Sequence, residues 1–409
     1  MANTILTKDE ILRKALQVLH AKLNFIGSIN RTYDSQFAQG GGKIGESLRI
    51  RLPEKYVVTD GAVLDVQEST EQSTTMTVAT RKHVGMSFTM QDLTMSIDDF
   101  TERKIVPAMS VLASSIEADA LQMVLDIYNM TGTVTGGADE LIMYLNAKTK
   151  LNQYLAPRDN NRMALIDSAT SAGLTDALKG LFQDSSEIAK QYREGIMGRV
   201  AGFTFAENDL VPALTTGTRT GSITINGAAP TGATINLKAL GSGTTIAKGE
   251  VFTIDGYYAV HPETKTRYSH LQQFVVTEAA TASGTTITGL KISPAIVTSG
   301  AYQNVSGTPG SDAVVTLRGG VQCGGAAAAA GANEVLTQNI CYQKDAFAFV
   351  SADLELPSGV DFAARKVMDG ISMRIVRDYN INNDQLPCRI DVLYGYKTVR
   401  PELACRVTR

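Results

Sequence analysis

The chain has 409 residues, 44% hydrophobic and 19% charged, with no tryptophan and a formal net charge of −3 at pH 7. That length leaves room for two or three domains with ample core, and the composition is globular, not disordered. Slight acidity argues against a sequence-reading nucleic-acid binder, which usually shows a basic stripe, but permits a shell that encloses nucleic acid without gripping it.

The first stretch, 7–25, reads as an amphipathic helix. Thr7 and Glu10 form a capping box, and Leu12, Leu16, Leu19 and Leu23 step by four, three and four along one face. A helix of this length is marginal alone in water, so it must dock on its own body or on a neighbour. Its opening, without a bare apolar run, predicts no secretory leader. Residues 26–45 carry little apolar pattern and a triple glycine at 40–42, which reads as an arm.

Residues 46–90 alternate like a β-ribbon. Leu48, Ile50 and Leu52 point one way while Arg49 and Arg51 point the other, and Val84, Met86, Phe88 and Met90 return at period two. A two-stranded ribbon of this length is not independently stable. Its charged face, Arg49, Arg51, Glu54 and Lys55, is expected to meet complementary charge on another subunit.

Residues 96–130 read as one long helix, roughly 45 Å from 98 to 128 at about 1.5 Å per residue. Met109, Leu112, Ile116, Leu121, Val124 and Ile127 mark its apolar face, and Asp98 and Asp99 suit the positive end of its dipole. Pro107 is expected to kink or split it. Beyond it the pattern predicts a helix over 138–155, a short strand over 163–166, a helix over 174–182 and glycine-punctuated strands to about 215, an alternating α and β body.

At Thr215 the texture changes. Helical periodicity gives way to short strands at 222–226, 234–237, 251–254, 257–260, 272–276, 286–292 and 313–317, separated by Gly, Thr, Asn and Pro turns. Such spacing predicts a small all-β sandwich or barrel of about one hundred residues, let into a surface loop. A low-complexity connector, 319–333, leads back to strands around Phe347 and Phe349, Met373 and Ile375, and Ile390, Val392 and Tyr394.

Nothing in the chain announces catalysis or a cofactor. Cys323, Cys341, Cys388 and Cys405 lack metal-ligand spacing and read as free thiols. His20, His83, His261 and His270 are scattered, and Gly40–Lys43 lacks the Lys-Ser/Thr of a phosphate loop. No run reaches about 18 uninterrupted apolar residues, so no membrane partner is expected.

Six stretches, in this order, resemble one family: DLTMSIDDFTERKIVPAM, GRVAGFTFAENDLVP, GEVFTIDGYYAVHPETK, LQQFVVTE, KDAFAFVSADLELP and RIDVLYGYKTVRPELA. They are similar to tailed-bacteriophage major capsid proteins of the HK97-type fold, and more narrowly to the phage P22 coat protein family. The resemblance implies an α+β fold with an inserted immunoglobulin-like β domain. It assigns 1–45 to an N-terminal arm, 46–90 to an extended loop, and 91–215 to the spine helix and the first part of the peripheral and axial domains. It assigns 216–318 to the insertion and 319–409 to the return. It further implies a non-enzymatic subunit of hexamers and pentamers in an icosahedral virion shell enclosing double-stranded DNA, with portal and scaffolding proteins as partners and assembly in the host cytoplasm. Because arm and ribbon already account for what precedes the spine, the scaffold is expected to be a separate protein. Asp9, Glu10, Arg13 and Lys14 are its candidate contacts. An encapsulin-like compartment subunit is the alternative, disfavoured by the large insertion.

Overall fold

A computed structural model describes residues 15, 17, 19, 23–31, 47–62, 66–67, 71–89, 106–132, 140–178, 198–218, 222–318, 333–360, 362–368, 371–381 and 385–408. Asp9, Glu10, Arg13, Lys14, His20, Cys323, the run 40–43 and the spine's first part, 96–105, lie outside them. In chain order come α1 (Asn24–Ser28), β1 (Ser47–Arg51), β2 (Ser73–Thr77), β3 (Thr80–Thr89) and α2 (Val106–Leu121), which runs into a 3-10 turn (Gln122–Asp126). Next are β4 (Met130–Gly132), α3 (Leu141–Gln153), β5 (Arg162–Ile166), α4 (Ser168–Leu178), β6 (Arg199–Val200), β7 (Phe203–Glu207) and β8 (Ala213–Thr215). The inserted region holds β9 (Thr224–Ile225), β10 (Gly232–Lys238), β11 (Thr245–Ile246), β12 (Val251–Val260), β13 (Arg267–Val276), β14 (Ala280–Thr281), β15 (Ile287–Ile296), β16 (Val305–Ser306) and β17 (Val315–Arg318). The last are β18 (Val335–Gln343), β19 (Phe347–Ala352), β20 (Phe362–Met368), β21 (Ile371–Arg377), β22 (Gln385–Thr398) and β23 (Ala404–Thr408). These elements fall into two compact units, one from Met1–Ile50, Ser73–Leu121 and Phe347–Val399, the other from Arg51–Gln72, Gln122–Ala346 and Arg400–Arg409.

The first unit is built on β22. This strand pairs with β3 along one edge and with β19 and β21 on the other, and β20 closes the sheet beyond β21. The return of the ribbon therefore differs from the sequence reading. Only β1 and β2 form a two-stranded ribbon, while β3 leaves it to pair with a strand some three hundred residues away. The cause is apolar burial: Ile390, Val392 and Tyr394 on β22 offer a core that β1 cannot. α2 buries Met109, Leu112, Ala113, Ile116 and Ala120, spaced by three and four as the sequence requires. The described segment 23–31 docks within this unit. Phe25 N and Ile26 N donate to the buried Glu117 carboxylate of α2 at 2.5 and 3.3 Å, and Asn30 bridges to β19. Those bonds satisfy amides that a short helix leaves open at its start.

The long helix ends earlier than its apolar pattern suggests. α-Helical geometry stops at Leu121, and Met130 begins a strand parallel to β23. The pairing of Met130–Gly132 with Arg406–Thr408 supplies backbone partners that further helix would forgo.

In the second unit a mixed sheet runs β4-β23-β18-β5-β7-β6, with β8 also on β18. α3 covers it through Met143, Tyr144, Ala147 and Leu151, while Ile142 and Leu145 face outward and are exposed. α4 starts at Ser168, six residues before the expected start, because the Asp167 carboxylate accepts from the Thr170 hydroxyl and the Asp167 carbonyl from Ser171 N.

Seven of the nine inserted strands are antiparallel and follow the order β16-β12-β13-β15-β10-β9, with β17 also on β12, while β11 and β14 pair with each other. An immunoglobulin sandwich divides its strands between two facing sheets. Here the sheet closes on itself: Ile225 N donates to Ala313 O at 3.0 Å and Val315 N to Ile223 O at 2.9 Å, joining β9 to the start of β17. The immunoglobulin-like expectation thus gives way to a barrel, the other architecture the strand spacing allowed. Closure leaves no free edge along that circuit. Ile225, Ile235, Phe252, Phe274 and Ile292 fill its interior. The two expected strands at 251–254 and 257–260 are one, β12, bent at Gly256 (φ +91°).

Candidate inter-subunit interface

The ribbon residues were expected to share one charged face, and the structure disperses them. Arg49 Nε donates to Ser73 Oγ at 2.7 Å across the ribbon, and Arg51 reaches Glu71 at 3.4 Å in solvent. Beyond them Glu54 accepts from the Tyr56 hydroxyl at 2.5 Å, and Lys55 Nζ sits 5.9 Å from the centre of the Tyr302 ring on the barrel. An exposed pair such as Arg51–Glu71 is worth well under 1 kcal/mol and can exchange partners readily.

What the charge pattern overlooked is apolar. Tyr56, Val58 and Val66 in the ribbon's distal segment are 61%, 90% and 77% exposed. Two runs of three apolar residues, Tyr56-Val57-Val58 and Ala62-Val63-Leu64, were the available signal. The segment 51–72 also carries five acidic residues against two basic ones.

Pro107 is the second described residue of α2, and the residues before Val106, where a kink or split would show, lie outside the described ones. Further along, Asp119 receives Lys82 Nζ at 2.6 Å and the Tyr394 hydroxyl at 2.5 Å, tying α2 to β3 and β22. The stretch Val106–Asp126 is long and apolar enough to cross a membrane by composition, but half of that window is buried in protein.

The barrel is seated on its body by a desolvated polar joint. Gln273 exchanges two hydrogen bonds with the Met130 backbone, at 3.0 and 3.1 Å, and its side-chain oxygen also accepts from the buried Lys150. Arg406, fully buried, donates to Gly249 O at 2.8 Å and to Gln338 Oε1 at 3.2 Å. Burial pulls its pKa down to about 9, against the opposing pull of Asp126. Val251 and Val275 pack beside these groups on Tyr128 and Met130.

On the first unit, Asp391 is completely buried and receives Arg389 Nε at 2.6 Å, Arg374 at 2.7 Å and Arg81 at 3.1 Å. Burial alone would raise this carboxyl's pKa; the hydrogen bonds from the three guanidiniums outweigh it and hold the pKa below the ordinary value. Cys341, Cys388 and Cys405 are buried, and burial pushes the Cys388 thiol up to about 11. Among the described residues no group of three or more His, Cys, Asp or Glu side chains could hold a metal ion.

The family described as "P22 coat protein - gene protein 5" matches residues 42–406. The chain belongs to the P22 coat protein family. As a member it is a structural subunit of an oligomeric virion shell, not an enzyme, and its fold is of the α+β class. Family membership does not favour the encapsulin-like alternative. Among solved structures, the chain is similar to one titled "Mycobacterium phage Che8" (12% identity, 93% of this chain and 89% of that one, TM-score 0.47). It is also similar to the mature capsid of bacteriophage PhiM1 (12%, 89% and 82%, 0.43). A shorter likeness, to the CUS-3 coat protein I-domain, has 27% identity over 24% of this chain and 96% of that one, with a TM-score of 0.19. No curated protein sequence matches.

Proposed function

We propose that the chain is the major capsid protein of a tailed phage, assembling with a separate scaffolding protein into hexamers and pentamers around double-stranded DNA, with a portal at one vertex. The observation that carries this, beyond family membership, is the ribbon: a two-stranded element ending in exposed Tyr56, Val58 and Val66. Such a surface is out of place on a monomer and is suited to a neighbouring copy in a lattice, where weak contacts sum over many subunits. Arg49, Arg51, Glu54 and Lys55 would flank that contact, their solvent-exposed pairs exchanging for partners on the neighbour. Asp9, Glu10, Arg13 and Lys14 would contact the scaffold. The segments 1–45, 46–90, 91–215, 216–318 and 319–409 would serve as arm, extended loop, spine with first body part, insertion and return, the inserted barrel standing on the outer surface.

Expression with and without the neighbouring scaffold gene, followed by electron microscopy, tests this. Closed icosahedral shells are expected with the scaffold, and aberrant or no shells without it. A monodisperse small oligomer under both conditions would overturn the proposal. Pro107 would let the spine bend differently among subunit environments of the lattice; identical bends in every subunit of a shell reconstruction would refute that role.

A further inference from the structure

Strand alternation gathers an unusual set of side chains on one face of the first unit's sheet. On β22, Pro387, Arg389 and Asp391 are two apart; on β3 the register sets Gly85 opposite Arg389 and His83 opposite Asp391, with Arg81 two residues on; on β21, Arg374 lies opposite Asp391. Together they line an open cleft of about 610 Å³. Gly85 makes its floor. A Cβ there would meet nothing within 4 Å, so the space above it is unfilled by the described residues.

The cleft is rich in donors. Three guanidiniums present five N–H groups each, yet among the described residues the acceptors they meet are the Asp391 carboxylate and, for Arg374, the Glu355 carbonyl at 2.5 Å. The Nε of Arg374 is buried without a partner among the described residues. Asp378, the other lining carboxylate, accepts from the adjacent Tyr379 N at 2.9 Å. Asp391 therefore acts as an anchor that holds three like-charged forks together at one place, which they would otherwise leave. Arg81 and Arg389 remain 41% and 44% exposed at the rim. A guanidinium pair with free forks matches an oxyanion that can accept several bonds at once, and a phosphate offers more acceptors in that geometry than a single carboxylate.

We propose that this cleft binds a phosphate group, gripped by Arg81 and Arg389 at the rim and by Arg374 within. The phosphate is either a free inorganic oxyanion or one unit of a nucleic-acid backbone. The site stands on its own geometry and does not depend on how the shell assembles.

Calorimetric titration of the full chain with pyrophosphate, at fixed ionic strength, tests the site. Saturable binding is expected, weakened at least tenfold in the double variant Arg81→Ala/Arg389→Ala. Gly85→Glu, which fills the open floor with an opposing charge while leaving every arginine in place, is expected to abolish it. Circular dichroism and thermal midpoint check that both variants fold. A short DNA duplex identifies the source: competition with pyrophosphate, with a salt dependence that flattens in the double variant, marks a backbone phosphate. Pyrophosphate binding without duplex binding marks a free oxyanion. The proposal fails if pyrophosphate does not bind saturably, or if both folded variants bind within twofold of the parent. It fails equally if the acidic 51–72 peptide occupies the cleft and pyrophosphate cannot displace it.

Discussion

Among the described residues, Asp391 and His270 each tie the stability of the fold to pH. The folded-state pKa of Asp391 is lowered, so its stabilising contribution is complete above the unfolded value of about 3.9 and is lost as pH falls through the lower folded value. Asp391→Asn should cost about 3–5 kcal/mol at neutral pH, because three guanidiniums lose their counter-charge. Urea midpoints at pH 7 and pH 3 should differ less in the variant than in the parent. His270 works in a higher window. Burial, then the Lys150 charge, lowers it to about 4 from an ordinary 6.5. The unfolded chain binds that proton first, so stability declines as pH falls from 6.5 to 4, by at most about 3 kcal/mol. His270→Phe, stacking on Tyr268 as the imidazole does at 5.4 Å, should flatten denaturant midpoints across that window. An unchanged slope would mean the histidine is solvated in solution. Neither residue stood out in the sequence: Asp391 is one acid in an alternating strand, and its partners come from Arg81 and Arg374, distant in the chain. Arg49 and Arg51 show the converse. Their shared side of β1 was legible from period two, but where such long side chains end depends on Ser73 and Glu71 across the ribbon.

Among the elements, those with strong local periodicity were legible and those fixed by distant partners were not. The α2 face from Met109 to Ala120 and the inserted strands follow their sequence patterns because each repeat is buried as its spacing demands. The helix was read too far, to residue 130, because Val124 and Ile127 keep the apolar spacing while β23 claims the backbone after them. β22 hides another such constraint. Gly395 lies within a strand, a known mark of close backbone approach, and a Cβ there would fall 2.2 Å from Thr77 O and 3.0 Å from the Cα of Val78. β2 thus ends directly over β22, and only glycine allows it. Gly395→Ala should destabilise the chain by about 1–3 kcal/mol through overpacking. Amide exchange should show the damage concentrated in 73–78; protection unchanged there would mean the two strands separate without cost.

At the scale of the whole molecule, stability and assembly should be separable, and Val58 is the residue that separates them. It is 90% exposed, so Val58→Asp removes almost no packing from the isolated chain and should shift its unfolding free energy by no more than about 0.5 kcal/mol. In a closed shell the same position would be covered by a neighbour. Burying a valine is worth about 1.5–3 kcal/mol, and placing an unpaired carboxylate there instead reverses the sign. The segment 51–72 already has an excess of acid, so one more charge also adds repulsion between any acidic surfaces brought together. Each subunit pays this penalty, and closure multiplies it by the number of copies. Val58→Asp should therefore give soluble, normally folded protein that does not close shells under conditions where the parent chain does, read by sedimentation and microscopy beside an unfolding curve. Shells formed at parental yield would show that the ribbon's apolar segment stays in solvent after assembly. Loss of both folding and shells would place Val58 inside its own subunit's core, contrary to its exposure.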